Sequence, residues 1–182
     1  KRPPAASDAN WLVFDQVSEE TFAHGRVPPY RRAPMTVDAS ATLIPLAQVE
    51  PAMIEELLDR AFGPDRHTRT AYKVREGVEW LPALSFAAMD DAEMLVGTIQ
   101  IWPVALTDPE GRNHPLIMVG PVAVVPDQQN EGFGKALMAA ALGAIDAAQS
   151  PTLPQVMIGD PEYYGRSFEF TAEPTQKWGC PG

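Results

Sequence analysis

Residues 122–137, which read VAVVPDQQNEGFGKAL, decide the fold, because they join an apolar β-like segment to a helix through a glycine-bearing turn. The N–H groups in the first turn of a helix have no partners within the helix, and the helix macrodipole adds partial positive charge there. Such a turn can hold a phosphate group through main-chain atoms alone. Gly132 and Gly134 would let a ligand approach this backbone closely.

The glycine spacing differs from that of two other phosphate-binding loops. No Gly-x-Gly-x-x-Gly follows an N-terminal strand, and no Gly-Lys-Ser/Thr closes a P-loop. The spacing is Gln129-x-x-Gly132-x-Gly134 instead. Because many helices begin after a glycine, this spacing alone is equally compatible with a purely structural turn.

Two motifs resemble those of one enzyme family. Residues 122–137 resemble the acetyl-coenzyme A (acetyl-CoA) motif of the GNAT superfamily of N-acetyltransferases, Arg/Gln-x-x-Gly-x-Gly/Ala after a strand ending in Val-x-Pro. Residues 160–164, Asp-Pro-Glu-Tyr-Tyr, are similar to the Asp-Pro-x-Tyr-Tyr segment of a poorly characterised bacterial branch of that superfamily. The motifs occur in the family's order with one helix between them, and the resemblance extends over residues 42–170.

The resemblance implies an α/β (α+β) fold of the acyl-CoA N-acyltransferase type. Its central sheet would be mixed, mostly antiparallel, flanked by helices and splayed at the cofactor site. Hydrophobic periodicity predicts the elements in the same order. The predicted strands are 42–46, 84–89, 94–102, 116–125 and 155–158, and the predicted helices are 50–62, 132–149 and 163–168. Residues 66–82 are ambiguous between a short helix and a loop, in the region that shapes the acceptor pocket in the family.

The chain divides into a Pro-rich arm, residues 1–40, and one domain, residues 41–182. Proline is unfavourable in helices and central strands, so the arm would wrap or dangle, with the apolar segment 11–14 pinning it to the domain or to a partner. The family normally adds one or two strands after the last helix, yet only 171–182 remain. Either the C-terminus is trimmed or disordered, or another chain supplies the closing edge, as in a homodimer.

Composition narrows the function classes. The 182 residues carry a formal net charge of -10, which argues against a nucleic-acid surface and slightly favours a cationic acceptor. The single cysteine, Cys180, excludes an internal disulfide. Neither a membrane-length apolar run nor a signal-peptide pattern is present, so we predict a soluble, cytoplasmic protein without a membrane partner. The three histidines are far apart and no Cys-His spacing appears, so no metal site is expected.

The resemblance implies acetyl-CoA as co-substrate. Its pantetheine would lie between splayed strands and bond main-chain groups of Val122, Ala123 and Val124, much as an added strand would. Its pyrophosphate would face the start of the helix. The predicted contacts there are Gln129, Asn130, Glu131, Gly132, Phe133, Gly134 and Lys135. Because Glu131 replaces a common Lys or Arg, we expect weaker coenzyme binding than is typical, offset in part by Lys135.

The resemblance also implies a tyrosine at the start of the last helix as the acid that protonates the leaving thiolate. Tyr164 is the first candidate and Tyr163 the second, because neighbouring residues on a helix point about 100° apart. Residues 166–170, Arg-Ser-Phe-Glu-Phe, slip by one position from the branch's Arg-Phe-Gly-Phe. The helix register therefore stays open, as does the alternative that both rings serve only packing.

The base that accepts the proton of the attacking amine is undecided. Four side chains are candidates beside a water relay: His114, Glu79, Asp90 and Glu93. Acceptor identity is not readable from the loops 63–82 and 103–115.

Three functions remain. The first is an N-acetyltransferase that moves an acetyl group from acetyl-CoA to a primary amine, of a small molecule or a protein, by direct attack in a ternary complex. The second is a catalytically idle acyl-CoA-binding or sensing protein on the same fold. The third is an interaction module that uses the fold as a scaffold and the Pro-rich arm as its contact.

Overall fold

The computed structural model describes residues 11–14, 42–148, 153–172, 175 and 178. Cys180, His24 and all of the arm except 11–14 lie outside the described residues, so the expectations placed on them are not addressed by the structure.

One seven-stranded sheet forms the centre of the protein, with the strand order β2-β3-β4-β5-β6-β1-β7. Strands β5 and β6 are parallel, and every other neighbouring pair is antiparallel. The strands are β1 (Trp11–Phe14), β2 (Thr42–Pro45), β3 (Phe86–Met89), β4 (Leu95–Thr107), β5 (Asn113–Val124), β6 (Gln155–Ile158) and β7 (Phe170–Thr171). Helices flank this mixed, mostly antiparallel sheet, so the predicted fold class is confirmed.

Four α-helices are present in the described part of the chain: α1 (Pro51–Phe62), α2 (Thr70–Val74), α3 (Phe133–Ala147) and α4 (Pro161–Phe168). Helix α1 begins at a proline, which is favoured at the first helical position, and ends before Gly63, whose φ of 88° favours glycine. It buries Ile54, Leu57 and Leu58. Met53 lies at the margin of this buried stripe and is 45% exposed.

Consecutive residues of β5 pack on opposite faces of the sheet. Ile117 and Val119 join the large apolar cluster that α1 and α3 share with the central strands. Leu116 and Met118 form a smaller cluster with Val156, against which α2 packs. Strand β5 is therefore covered on both faces, which fixes its register.

Strand β1 comes from the segment that the sequence places in the Pro-rich arm. Its residues pair antiparallel with β6, Trp11 opposite Ile158, and also with β7, Val13 opposite Thr171. The position beside β6 is thus filled by segment 11–14 of the chain itself. Contact of this segment with the domain was one of its two expected contacts, although neither alternative for closing the sheet had included it.

Strands β5 and β6 separate after two residue pairs, Ile117 with Gln155 and Met118 with Val156. Strand β5 continues to Val124, while β6 pairs on its other side with β1. Within the described residues, no strand pairs with β5 on this side beyond Met118. The structure thus contains the splay that the resemblance implies.

None of the described helices has the length and apolar character needed to cross a bilayer.

Candidate active site

A cavity of about 480 Å³ opens where β5 and β6 separate. It is lined by the end of β5, the turn before α3, the first residues of α3, and the two tyrosines of α4. This volume lies in the range of sites that bind cofactors or small molecules.

The turn before α3 leaves backbone donors unpaired. Gly132 is the N-cap residue and has no side chain to cap the helix; its φ is 93°, and Asn130 also has a positive φ of 70°. The Ala136 N–H donates to the Gly132 carbonyl at 3.0 Å. The N–H groups of the first turn are therefore available to an anion, in a turn where two left-handed residues, on either side of Glu131, favour a concave backbone.

Two side-chain contacts hold this turn in place. The Gln128 Nε2 donates to Asp90 Oδ2 at 3.3 Å, which ties the turn to the β3–β4 loop. The Gln129 Nε2 donates to the Val124 carbonyl at 3.3 Å. Strand and helix start are thus held together at the mouth of the cavity.

The structure gathers most of the predicted cofactor residues around this cavity. Those that line it are Val122, Val124, Gln129, Asn130, Gly132, Gly134 and Lys135. Ala123, Glu131 and Phe133 are not among the lining residues.

Each of these three residues lies outside the cavity lining for a physical reason. Ala123 is buried and its carbonyl faces β4, where a Cβ on Gly97 would meet it at 3.0 Å. Phe133 is buried in the main apolar cluster. Glu131 is exposed to solvent, so its charge is screened from the cavity.

The two tyrosines of α4 occupy different environments. The ring of Tyr164 is half-buried, and burial, followed by the charges of Tyr163 and Asp160, raises the pKa of Tyr164 to about 12. Tyr163 is 44% exposed and meets the Tyr164 ring edge-on, with 4.9 Å between centroids. Burial keeps the Tyr164 hydroxyl protonated although it also makes it a weaker acid, and the more buried position of this ring favours Tyr164 over the exposed Tyr163 as the proton donor.

Helix α4 begins at Pro161, two residues before the predicted start. The Asp160 side chain caps it by accepting from the N–H groups of Glu162, at 2.8 Å, and Tyr163, at 3.3 Å. A carboxylate cap followed by proline is a strong start signal, and it sets the direction in which both tyrosines leave the helix.

A second cavity, of about 500 Å³, lies beside the first. Its walls come from residues 62–75 on one side and from β5 and β6 on the other. Val122 and Tyr164 line both cavities. Two ligands, one in each cavity, would therefore meet at these two residues.

Three arginines line the second cavity, and the sequence analysis had not singled them out: Arg66, Arg69 and Arg75. The Arg66 guanidinium is buried and forms ion pairs with Glu55 and with Asp59, the latter at 2.7 Å, and it also donates to the Tyr72 hydroxyl. Its charge is therefore balanced. The only signal for the three arginines in the sequence was their spacing in the ambiguous segment 66–82.

None of the four candidate bases lines either cavity. His114 lies near the tip of the β4–β5 hairpin, with Nε2 2.9 Å from Asp108 Oδ2. The Asp90 carboxylate accepts from the N–H groups of Ala92 and Met94 and is occupied in its turn. Glu79 and Glu93 are exposed. In the described part of the chain, no group of three or more His, Cys, Asp or Glu side chains is placed to hold a metal ion.

The comparisons with known proteins agree with this geometry. Residues 45–166 match the family model described as acetyltransferase (GNAT) domain. No match was found among curated proteins.

Among solved structures, the GNAT family N-acetyltransferase YhbS from Escherichia coli, in complex with CoA, is similar with a TM-score of 0.51 at 22% identity, over 76% of this chain and 72% of that one. A GCN5-related N-acetyltransferase from Sphaerobacter thermophilus is similar with a TM-score of 0.48 at 15% identity, over 88% of this chain and 46% of that one.

Proposed function

The chain belongs to the GNAT acetyltransferase family, and on that premise we propose that it transfers an acetyl group from acetyl-CoA to a primary amine by direct attack. The acetyl-CoA would occupy the cavity at the start of α3, and the amine would occupy the cavity beside residues 62–75.

The observation that carries this proposal is that the two cavities meet at Val122 and Tyr164. Direct transfer needs both substrates bound at once with their reacting atoms in contact, and two adjoining cavities provide that arrangement. Tyr164 is the half-buried side chain at this junction, and we infer that its hydroxyl faces the position that the thioester sulfur of a bound coenzyme would occupy.

In the proposed step, the neutral amine nitrogen attacks the thioester carbonyl carbon and a C–N bond forms. The C–S bond then breaks, and the departing thiolate takes a proton from Tyr164. The amine nitrogen releases its extra proton to water, because no histidine or carboxylate lines either cavity among the described residues. The products are the acetamide and CoA, and the tyrosinate recovers a proton from solvent.

The binding half of the proposal is tested by calorimetric titration with acetyl-CoA, with desulfo-CoA and ATP as controls for generic anion binding. We expect acetyl-CoA and desulfo-CoA to bind and ATP to bind at least about tenfold more weakly, since ATP lacks the pantetheine that would occupy the splay. Equal affinity for ATP, or no binding of any of the three, would contradict the coenzyme site.

A matched pair of variants on one helix localises the site. At Gly134, which lines the cavity, an added Cβ would meet only the Val124 Cγ2, at 3.8 Å. Gly134→Leu should therefore fold and raise the Kd for acetyl-CoA by about tenfold or more, because the side chain fills coenzyme space. Gly143→Leu makes the same change on the exposed face of α3, where nothing lies within 4 Å, and should leave the Kd unchanged.

The reaction itself is followed by release of free thiol with a panel of amines. Turnover with at least one amine supports the proposed N-acetyltransferase activity. Selective acetyl-CoA binding without turnover on any amine would favour the alternative, an idle acyl-CoA-binding or sensing protein.

A further inference from the structure

The three arginines of the second cavity differ in whether their charge has a partner. Arg66 is paired with two carboxylates. The exposed Arg69 donates from Nη2 to the Phe62 carbonyl at 2.6 Å. Arg75 has neither arrangement: it is only 5% exposed, and no ion pair to it exists among the described residues.

Aromatic rings hold the Arg75 guanidinium in place. Its central carbon lies 3.9 Å from the centroid of the Tyr72 ring and 4.8 Å from that of Trp102. Stacking of this kind fixes the guanidinium plane, and Tyr72 also contributes a side-chain hydrogen bond to Arg75. Nη1 is buried and has no hydrogen-bond partner in the described structure.

A buried cation with an unpaired donor is costly. Leaving a buried donor unpaired destabilises the folded protein, and more so for a charged group. Burial also lowers the pKa of Arg75, which shows that the surroundings penalise its charge. An anion bound in the cavity would remove this penalty.

The other residues that line the second cavity also favour an anionic ligand. No Asp or Glu is among its lining residues in the described chain, although the protein as a whole carries a net charge of -10. The cavity offers donors and no competing anion, which is opposite to the cationic acceptor suggested by the net charge.

We propose that the acceptor is a small primary amine that also carries an anionic group, a carboxylate or a phosphate, and that Arg75 binds this group. The inference rests on the proposed function and names the substrate class of that same site. The anion anchors the molecule at Arg75, and its amine extends toward the junction at Val122 and Tyr164. A guanidinium suits this task because its planar N–H edge matches both oxyanions.

The test uses amines that differ only in the anion: free amino acids, their amides and methyl esters, and aminoalkyl phosphates, each assayed with acetyl-CoA by thiol release. We expect kcat/KM to be at least about tenfold higher for one anionic class than for its neutral counterparts, and the amino acid and phosphate arms show which oxyanion is preferred. Equal kcat/KM for acids and amides would overturn the inference.

Two arginine variants provide the control. Arg75→Met should lower kcat/KM for the anionic amine by about thirtyfold or more, mainly through KM, and Arg75→Lys should lower it less, while the Kd for acetyl-CoA stays unchanged. Arg112→Met removes an exposed arginine at the hairpin tip, outside both cavities, and should have no effect. Unchanged KM in Arg75→Met would contradict the role of this side chain.

An anion titration separates this inference from the proposed function. Acetate and inorganic phosphate, each against chloride at equal ionic strength, should raise the melting temperature of the native protein more than that of Arg75→Lys. If acetyl-CoA does not bind, the proposed function fails on its own. If acetyl-CoA binds and neither anion stabilises the native protein selectively, the anionic acceptor is excluded even where no amine turns over.

Discussion

The ring of Tyr164 packs directly against Gly159, the residue that follows β6. A Cβ placed on Gly159 would lie 2.5 Å from Tyr164 Cε2 and 2.7 Å from Cδ2, which is closer than real Cβ contacts allow. The position of the Tyr164 ring, which lines both cavities, therefore depends on the missing side chain of a glycine. In the proposed reaction, Gly159 would act as a positioning residue through Tyr164.

We predict that Gly159→Ala lowers kcat by about tenfold or more, because displacement of a catalytic group by about 1 Å is costly. The Kd for acetyl-CoA should change by less than about threefold. Gly143→Ala is the matched control, since nothing lies within 4 Å of that position, and it should leave kcat unchanged. Steady-state kinetics and calorimetry measure both quantities; a native kcat in Gly159→Ala would show that the ring is not held as described.

Tyr164→Phe should lower kcat by about a hundredfold, because the leaving thiolate loses its proton donor, and should barely change the Kd for acetyl-CoA. Tyr163→Phe is the neighbouring control and should retain kcat within about threefold, since Tyr163 lines the coenzyme cavity but not the second cavity. Were Tyr163→Phe the inactive variant, the acid would be Tyr163. Single-turnover rates of thiol release distinguish the two.

The pH dependence of kcat follows from the raised pKa of Tyr164, about 12. A raised pKa means that the hydroxyl stays protonated at any lower pH, so the donor remains intact in the alkaline range. We therefore expect no fall in kcat from tyrosine ionisation up to about pH 10, the pKa of an ordinary tyrosine. A falling limb centred near pH 10 would contradict Tyr164 as the proton donor.

Glu131→Gln should raise the affinity for acetyl-CoA only slightly, by less than about threefold at low ionic strength. The Glu131 side chain is exposed and does not line the coenzyme cavity, so water and salt screen its repulsion of the phosphates. The gain should vanish at high salt. Glu110→Gln removes the same charge from the hairpin tip and should show no gain at either ionic strength; calorimetry across a salt series compares them. A large gain that persists in salt would place Glu131 against the phosphates.

The elements that the sequence predicted well carry local signals. Pro51 and Gly63 mark the ends of α1, and Gly132 marks the start of α3, as expected from capping preferences. Strand β6 was predicted with its observed bounds, because its four apolar or buried residues stand between a proline and a glycine.

The parts that were missed depend on contacts between distant segments. Strand β4 extends to Thr107, five residues beyond the prediction, because it pairs with β5 through Pro103 and past it. The burial of Arg75 depends on Trp102, a residue of another element, and a sequence pattern cannot show that two such side chains stack. The sequence contains the arginine, but it does not reveal that the folded protein buries this side chain without an ion-pair partner.

The pairing of β1 with β6 also sets an order of events during synthesis. Trp11 and Ile158 lie opposite each other although almost the whole described chain separates them, so this contact closes a very long loop. A ribosome must have released Ile158 before β1 has a strand to join, and until then the backbone donors and acceptors of residues 11–14 lack that partner. Strands β2 to β5, which are neighbours in sequence as well as in space, can assemble earlier on the emerging chain.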